Sequence, residues 1–209
     1  MGPGAIAVTG LCALLALWYG AGYLYNRRRG QRLFDWLKEG LDALGGEVES
    51  GWIGTPAAGA RANVTHAVPP FRRMEITLLL ENREILPLWL VDHLRGRRDR
   101  LIIRATLRSP RRGEIEIGPA QRKAARQRQG PWEWLEGPHR LATAYQGPGA
   151  QQQAVALEPW LQSYGTHLRR LYWRKRDPHI LLEINLNRLI AVPSDTFLNS
   201  LRAVLEQTP

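Results

Sequence analysis

The stretch from Ala5 to Tyr25 holds 21 residues without one charged side chain, and ~20 apolar residues are what a helix needs to cross a ~30 Å hydrocarbon core. A run of this kind has to be removed from water, which fixes the plan of the chain. It predicts one transmembrane span, with residues 1–26 as the anchor. Trp18, Tyr19, Tyr23 and Tyr25 gather toward its C-terminal end, where aromatic rings favour the headgroup layer, and Arg27, Arg28, Arg29 and Arg32 follow directly. The positive-inside rule puts that end in the cytoplasm and the N-terminus outside. A cleavable signal peptide is the competing explanation. It calls for a basic n-region, which Met1–Gly4 lacks, and the small-residue site Gly20-Ala21-Gly22 is followed by positive charge that opposes export.

Beyond the anchor the pattern changes twice. Leu33, Phe34, Leu37, Leu41 and Leu44 recur at three- and four-residue spacing, so residues 27–46 read as a basic juxtamembrane segment running into an amphipathic helix. Gly45 and Gly46 end it. Residues 47–209 then read as one soluble domain, in which period-two runs mark strands: Glu47–Ile53, Arg61–Val68, the Met74/Ile76/Leu78/Leu80 run, Leu101–Leu107, Ile115–Ile117, Leu141–Gln146 and Ile180–Leu186. Helices are expected over Pro87–Arg95, over Glu158–Arg174 with Leu157, Leu161, Tyr164, Leu168 and Leu171 on one stripe, and from Ser194 as N-cap onward. Gly118–Gly130 reads as a short polar helix or a mobile loop, and Gly147–Gln153 as a second loop. Strands and helices mixed in this irregular order argue for an α+β fold with a mainly antiparallel sheet and three to four helices.

One pairing is specified further. Ser109-Pro110-Arg111-Arg112-Gly113 has hairpin-turn chemistry. A five-residue loop there sets Leu107 opposite Ile115 on the core face and Arg108 opposite Glu114 outside. The late strand, apolar on both faces through Leu181, suits a central position under a helix.

Charge is concentrated. Between Arg95 and Arg128 lie 12 basic and 3 acidic residues, a net +9 of the chain's +10. Next to a membrane anchor such a block suits anionic lipid headgroups, and the candidate contacts are Arg27, Arg28, Arg29, Arg32, Arg111, Arg112, Arg122, Lys123, Arg126 and Arg128. A solvated basic face without a dedicated ligand fits the same composition. Nucleic acid is the next alternative, with Trp132 and Trp134 as stacking platforms, although Trp-x-Trp on a strand puts both rings on one face and is more simply explained as core packing or a wedge against the membrane.

No motif for chemistry emerges. Phosphate-loop, dinucleotide, zinc-protease and nucleophile-elbow patterns are lacking. The lone Cys12 excludes a disulfide framework and C-x-x-C chemistry, and His66, His93, His139, His167 and His179 are too scattered to put two ligands on one helix turn. The best acidic group is Glu81, Glu84, Asp92 and His93, flanking a strand-to-helix loop. It reads either as a site or as ion pairs with Arg83, Arg95 and Arg97. Asn63-Val64-Thr65 matches a glycosylation sequon that a cytoplasmic location would leave unused. The expectation is therefore a membrane-anchored accessory or scaffold protein without cofactor or metal, its cytoplasmic domain near the inner leaflet and engaged with a protein partner. A membrane-tethered nucleic-acid binder and an enzyme without a linear motif are the alternatives.

Overall fold

The computed structural model describes residues 2–109, 112–120 and 132–207. Its first element, α1 (Pro3–Leu41), is a single helix of 39 residues, about 58 Å long at ~1.5 Å per residue. The N-terminal part is long and apolar enough to span a bilayer, and none of its most apolar window is buried inside the protein. The C-terminal part carries the amphipathic stripe expected from sequence, and Leu33, Phe34, Trp36, Leu37, Leu41 and the following Leu44 are buried. No proline interrupts the helix between these parts. The segment 27–46 is thus continuous with the apolar run and belongs to the core of the domain. Gly45 and Gly46 close the helix at φ 57° and 78°, left-handed values that glycine adopts without strain.

The domain is α+β. Among the described residues nine strands form one antiparallel sheet: β1 (Glu47–Trp52), β2 (Gly59–Thr65), β3 (Phe71–Leu79), β4 (Arg100–Leu107), β5 (Glu114–Pro119), β6 (Glu133–Glu136), β7 (Leu141–Gln146), β8 (Leu168–Trp173) and β9 (Ile180–Asn185). Their spatial order is β1-β2-β3-β4-β9-β8-β5-β7-β6, so the late apolar strand β9 lies at the centre, as its two-faced hydrophobicity implied. Cross-strand rows stack the core: Ile76, Ile103, Leu182, Leu171 and Ile117 form one, and Met74, Ala105, Ile180, Trp173, Ile115 and Tyr145 the next. The second half of α1, α3 (Ala150–Ala156), α4 (Glu158–Tyr164) and α6 (Ser194–Gln207) join this apolar face in one cluster. A short α2 (Leu86–Leu94) and the single turn α5 (Leu186–Leu189) sit at the end of the sheet where α1 enters. The approach of α1 is close: a Cβ at Gly30 would lie 1.9 Å from the Pro56 carbonyl oxygen.

Four expectations fail for physical reasons. The β4–β5 hairpin does not form. β4 is paired on both edges, with β3 and β9, and β5 with β7 and β8, so the later β8–β9 hairpin stands between them. Leu107 and Ile115 face the core without being partners, and Arg108 donates to the carbonyls of Phe71 (3.0 Å) and Ala67 (2.7 Å) instead of meeting Glu114. Alternation fixes which face a residue occupies and leaves its neighbour open. The helix expected over Glu158–Arg174 ends at Tyr164, and a 3-10 turn through Gly165 leads into β8. A register irregularity between Leu168 and Arg170 puts Leu168 and Leu171 on the same face of a strand, which imitates helical spacing. Gly147–Gln153 is not all loop, because α3 begins at Ala150. Ser194 opens α6 with its hydroxyl buried and unbonded among the described residues, so it does not act as the expected N-cap. The Gly118–Gly130 loop falls mostly outside the described residues.

The two halves of α1 should respond differently to truncation. Leu37 is 1% exposed, and Leu37→Ala should destabilise the detergent-solubilised protein by ~2–5 kcal/mol. Leu17, on the same helix but 73% exposed, should leave the unfolding midpoint of the domain unchanged when replaced by Ala.

Candidate functional site

Where α1 passes from its apolar to its amphipathic part, the chain assembles a buried charged cluster from four places in the sequence. Asp99, just ahead of β4, is fully buried. It is paired with Arg29 of α1 and with Arg83, whose Nη1 donates to Asp99 Oδ1 at 2.9 Å, and the Glu81 N–H donates to the same oxygen at 2.9 Å. Asn26, also buried, donates to the Glu81 carbonyl at 2.9 Å and accepts from Arg83 at 2.9 Å. Glu81 completes the group, 2.6 Å from Arg83, 3.5 Å from Arg98 and 3.2 Å from His93 Nδ1. Burial works against the Asp99 charge, but the hydrogen bonds and charge of Arg83, the Glu81 N–H and Arg29 outweigh it and hold the carboxyl below its ordinary 3.8.

The cluster continues up the apolar part of α1. Trp18 Nε1 donates to the Arg83 carbonyl at 2.9 Å, and the Trp18 ring lies 5.2 Å from that of Trp89 on α2, which in turn lies 4.9 Å from His93. At Gly22 a Cβ would come within 2.3 Å of the Arg83 carbonyl oxygen, so only glycine admits this approach. The loop before α2 is therefore clamped onto α1 at two successive turns.

A second polar region is the sheet face opposite the helices. Glu75 pairs with Arg61 at 2.7 Å and Arg104 at 2.9 Å, Arg73 and Thr106 both bind Asp177, and Glu183 is met by Arg100, Arg169 and Arg170 at 2.9–3.1 Å. Burial opposes the Glu75 charge but Arg61 and Arg104 lower its pKa, and Asp177 is lowered first by the Thr106 hydroxyl and also by Arg73. A hollow of about 440 Å³ on this face is lined by Asn63, Arg73, Glu75, Arg104 and Thr106 among others. The Asn63 sequon lies within β2 on this face.

The expected anionic contacts divide. Arg27, Arg28 and Arg32 are exposed on α1, whereas Arg29 is turned into the cluster with Asp99 and Asn187. Arg28 and Arg32 share a shallow hollow of about 340 Å³ with Ala21, Leu24 and Tyr25. Arg112 is exposed just ahead of β5, at the end of the sheet away from Asp99. Of the described members of the basic block, Arg95 and Arg97 lie beside α2 and Arg112 at the opposite end of the sheet. Arg111, Arg122, Lys123, Arg126 and Arg128 lie outside the described residues. Of the acidic group, Glu81 and His93 meet while Asp92 pairs with Arg97 at 3.0 Å. Trp134 is not core: on edge strand β6 it stands opposite Ala144 on the face away from the helices and is exposed. Asn26 and Asp99 escaped the reading of the sequence, and Arg29 was expected at the lipid rather than in the cluster. Asp99 left one trace, as the single acidic residue between Arg95 and Arg112.

Asp99→Asn would leave the Arg29 guanidinium without its anion and Arg83 with Glu81 alone, and breaking a buried pair in this way costs ~3–5 kcal/mol. Because folding lowers the Asp99 pKa, its stabilisation is complete above the unfolded value of 3.8 and is lost as the pH falls through the folded one. The melting-temperature gap between wild type and Asp99→Asn should hold steady well above 3.8 and narrow below it. No protein-family model matches the chain, and none of the curated proteins compared with it matches either.

Proposed function

We propose that this is a single-span cell-membrane protein with its N-terminus outside, whose cytoplasmic domain is a non-enzymatic scaffold that offers the open face of its sheet to a protein partner. The observation that carries the reading is the unbroken α1, which runs from an apolar surface into the core of the domain and is locked there by Asp99, Arg29, Arg83 and Asn26. A domain joined this way is held at one height and one orientation, which suits presentation of a surface. The orientation across the membrane is supported by Arg27, Arg28 and Arg32, exposed directly after the apolar run. With the exposed Arg95 and Arg97 they form the end nearest the lipid, and each contributes roughly 1 kcal/mol of attraction to anionic headgroups.

The chemistry of the open face favours protein over nucleic acid. Arg61 and Arg104 share Glu75, Arg73 pairs with Asp177, and Glu47, Glu49 and Glu116 stand on the same face by register, so the face alternates in sign and has little net positive charge to exchange for the counterions of a phosphate backbone. Alternating charge matches a polar protein surface and sets register more than affinity.

Two measurements test this. A C-terminal fluorescent fusion should be bright and an alkaline phosphatase fusion inactive, and the opposite result would reverse the topology. A photo-crosslinking residue at Asn63 or Thr106 should yield a discrete nuclease-resistant protein adduct in cells that the same residue at Arg202, on α6, does not. No adduct at the sheet face, or one removed by nuclease, would overturn the protein-partner reading, and the nuclease-sensitive adduct would replace it with nucleic acid.

A further inference from the structure

The helix α2 is built inside out. None of its residues is buried, and its two polar side chains lie along one side, partly exposed and already partnered: Asp92 pairs with Arg97, and His93 lies beside Glu81 and Arg98. Its outward face is apolar. Leu88 is 51% exposed and Leu94 77%, with Leu90, Val91 and the preceding Ile85 exposed between them. A helix on a water-exposed surface carries the reverse pattern, and an apolar patch of this kind marks an interaction surface.

What α2 rests on identifies its partner. Trp89 packs on Trp18, and the loop before α2 is bonded to Trp18 and pressed on Gly22. Both residues are within the uncharged run that ends at Tyr25, and Trp18 is seven residues inside it, about 10 Å along the axis. The apolar face of α2 is thus continuous with the exposed apolar surface of α1. At nine residues it is far shorter than the ~20 needed to cross. The chain then returns at once to charge in Arg95, Arg97 and Arg98, of which Arg95 and Arg97 are exposed, the arrangement of a segment that enters a headgroup layer and leaves on the same side.

We infer that α2 is an interfacial membrane helix. Its outward face, Leu88, Leu90, Val91 and Leu94, lies among the upper acyl chains of the leaflet that α1 leaves, with Arg95 and Arg97 at the anionic headgroups. The domain then holds the bilayer at two points. This inference rests on the reading of α1 as a membrane span.

The test uses the full chain in a Cys12→Ser background, reconstituted at one copy per nanodisc of phosphatidylcholine and phosphatidylglycerol. Single cysteines at Leu90, Leu94, Leu17 and Thr106 are labelled with an environment-sensitive fluorophore, and a melting temperature equal to that of the Cys12→Ser parent confirms the fold of each. Quenching is read with lipids carrying a nitroxide near the headgroup, with lipids carrying it deep in the acyl chain, and with aqueous iodide. Labels at Leu90 and Leu94 should be quenched several-fold more by the shallow nitroxide than the label at Thr106 and should be shielded from iodide, while Leu17 responds to the deep nitroxide. Loss of lipid quenching at Leu17 would remove the span itself. A normal Leu17 signal with iodide-accessible Leu90 and Leu94 would overturn the insertion of α2 and leave the span standing. Labels shielded from iodide and lipid alike would overturn it in favour of cover by another part of the protein.

Discussion

The carboxylate of Asp99 is the point on which this molecule turns. It takes a guanidinium from α1, another from the loop after β3, and a backbone N–H from that loop, so three segments distant in sequence are joined at one buried charge. A buried ion pair seldom adds stability over an apolar replacement, because desolvation consumes most of the Coulombic gain. What it adds is definition. Two arginines and one asparagine can satisfy one another and Asp99 in very few arrangements, and the one observed fixes both the rotation of α1 about its axis and the height at which the sheet meets it.

That fixed junction gives the domain two unlike ends and two unlike faces. One end gathers the exposed aromatic, leucine and arginine side chains near α2 and the exit of the apolar run. The other has the turn with Arg112. One sheet face is closed by helices, and the other is a lattice in which nearly every arginine has a carboxylate neighbour. A net charge of +10 would suggest a uniformly cationic molecule. Pairing decides how much of that charge a partner can meet.

The fold class could be read from the sequence because it depends on local periodicity. The apolar run, the stripe through Leu33, Leu37 and Leu41, the glycine stop at Gly45 and the central β9 each follow from spacing over a few residues. What stayed hidden depends on contacts between distant segments. Nothing near Ser109–Gly113 reveals that a hairpin from residues 168–185 will separate β4 from β5. The irregularity in β8 imitates a helix because it moves two leucines three apart onto one face. The Asp99 cluster was hidden for the same reason: Asn26 reads as the end of an anchor and Arg29 as one more juxtamembrane arginine until Glu81 and Asp99 are brought beside them. The paired charges of the open face, from β2, β3, β4 and the β8–β9 turn, also have no linear signature.

The continuity of α1 makes the molecule a lever. A flexible tether would let the anchor tilt without moving what it carries, but a helix with no break and a salt-bridged collar at its middle has no hinge to absorb the motion. Transmembrane helices tilt to match the thickness of the bilayer around them, by ~20° on average. About 27 Å of helix extends from Asn26 to the glycine stop at ~1.5 Å per residue, so a tilt of ~20° carries the far end of the sheet sideways by roughly 9 Å. On the proposed reading of α1 as a membrane span, the thickness of the surrounding lipid is converted into the position of a protein surface, and the mechanical ratio is set by the distance from Asn26 to Leu44.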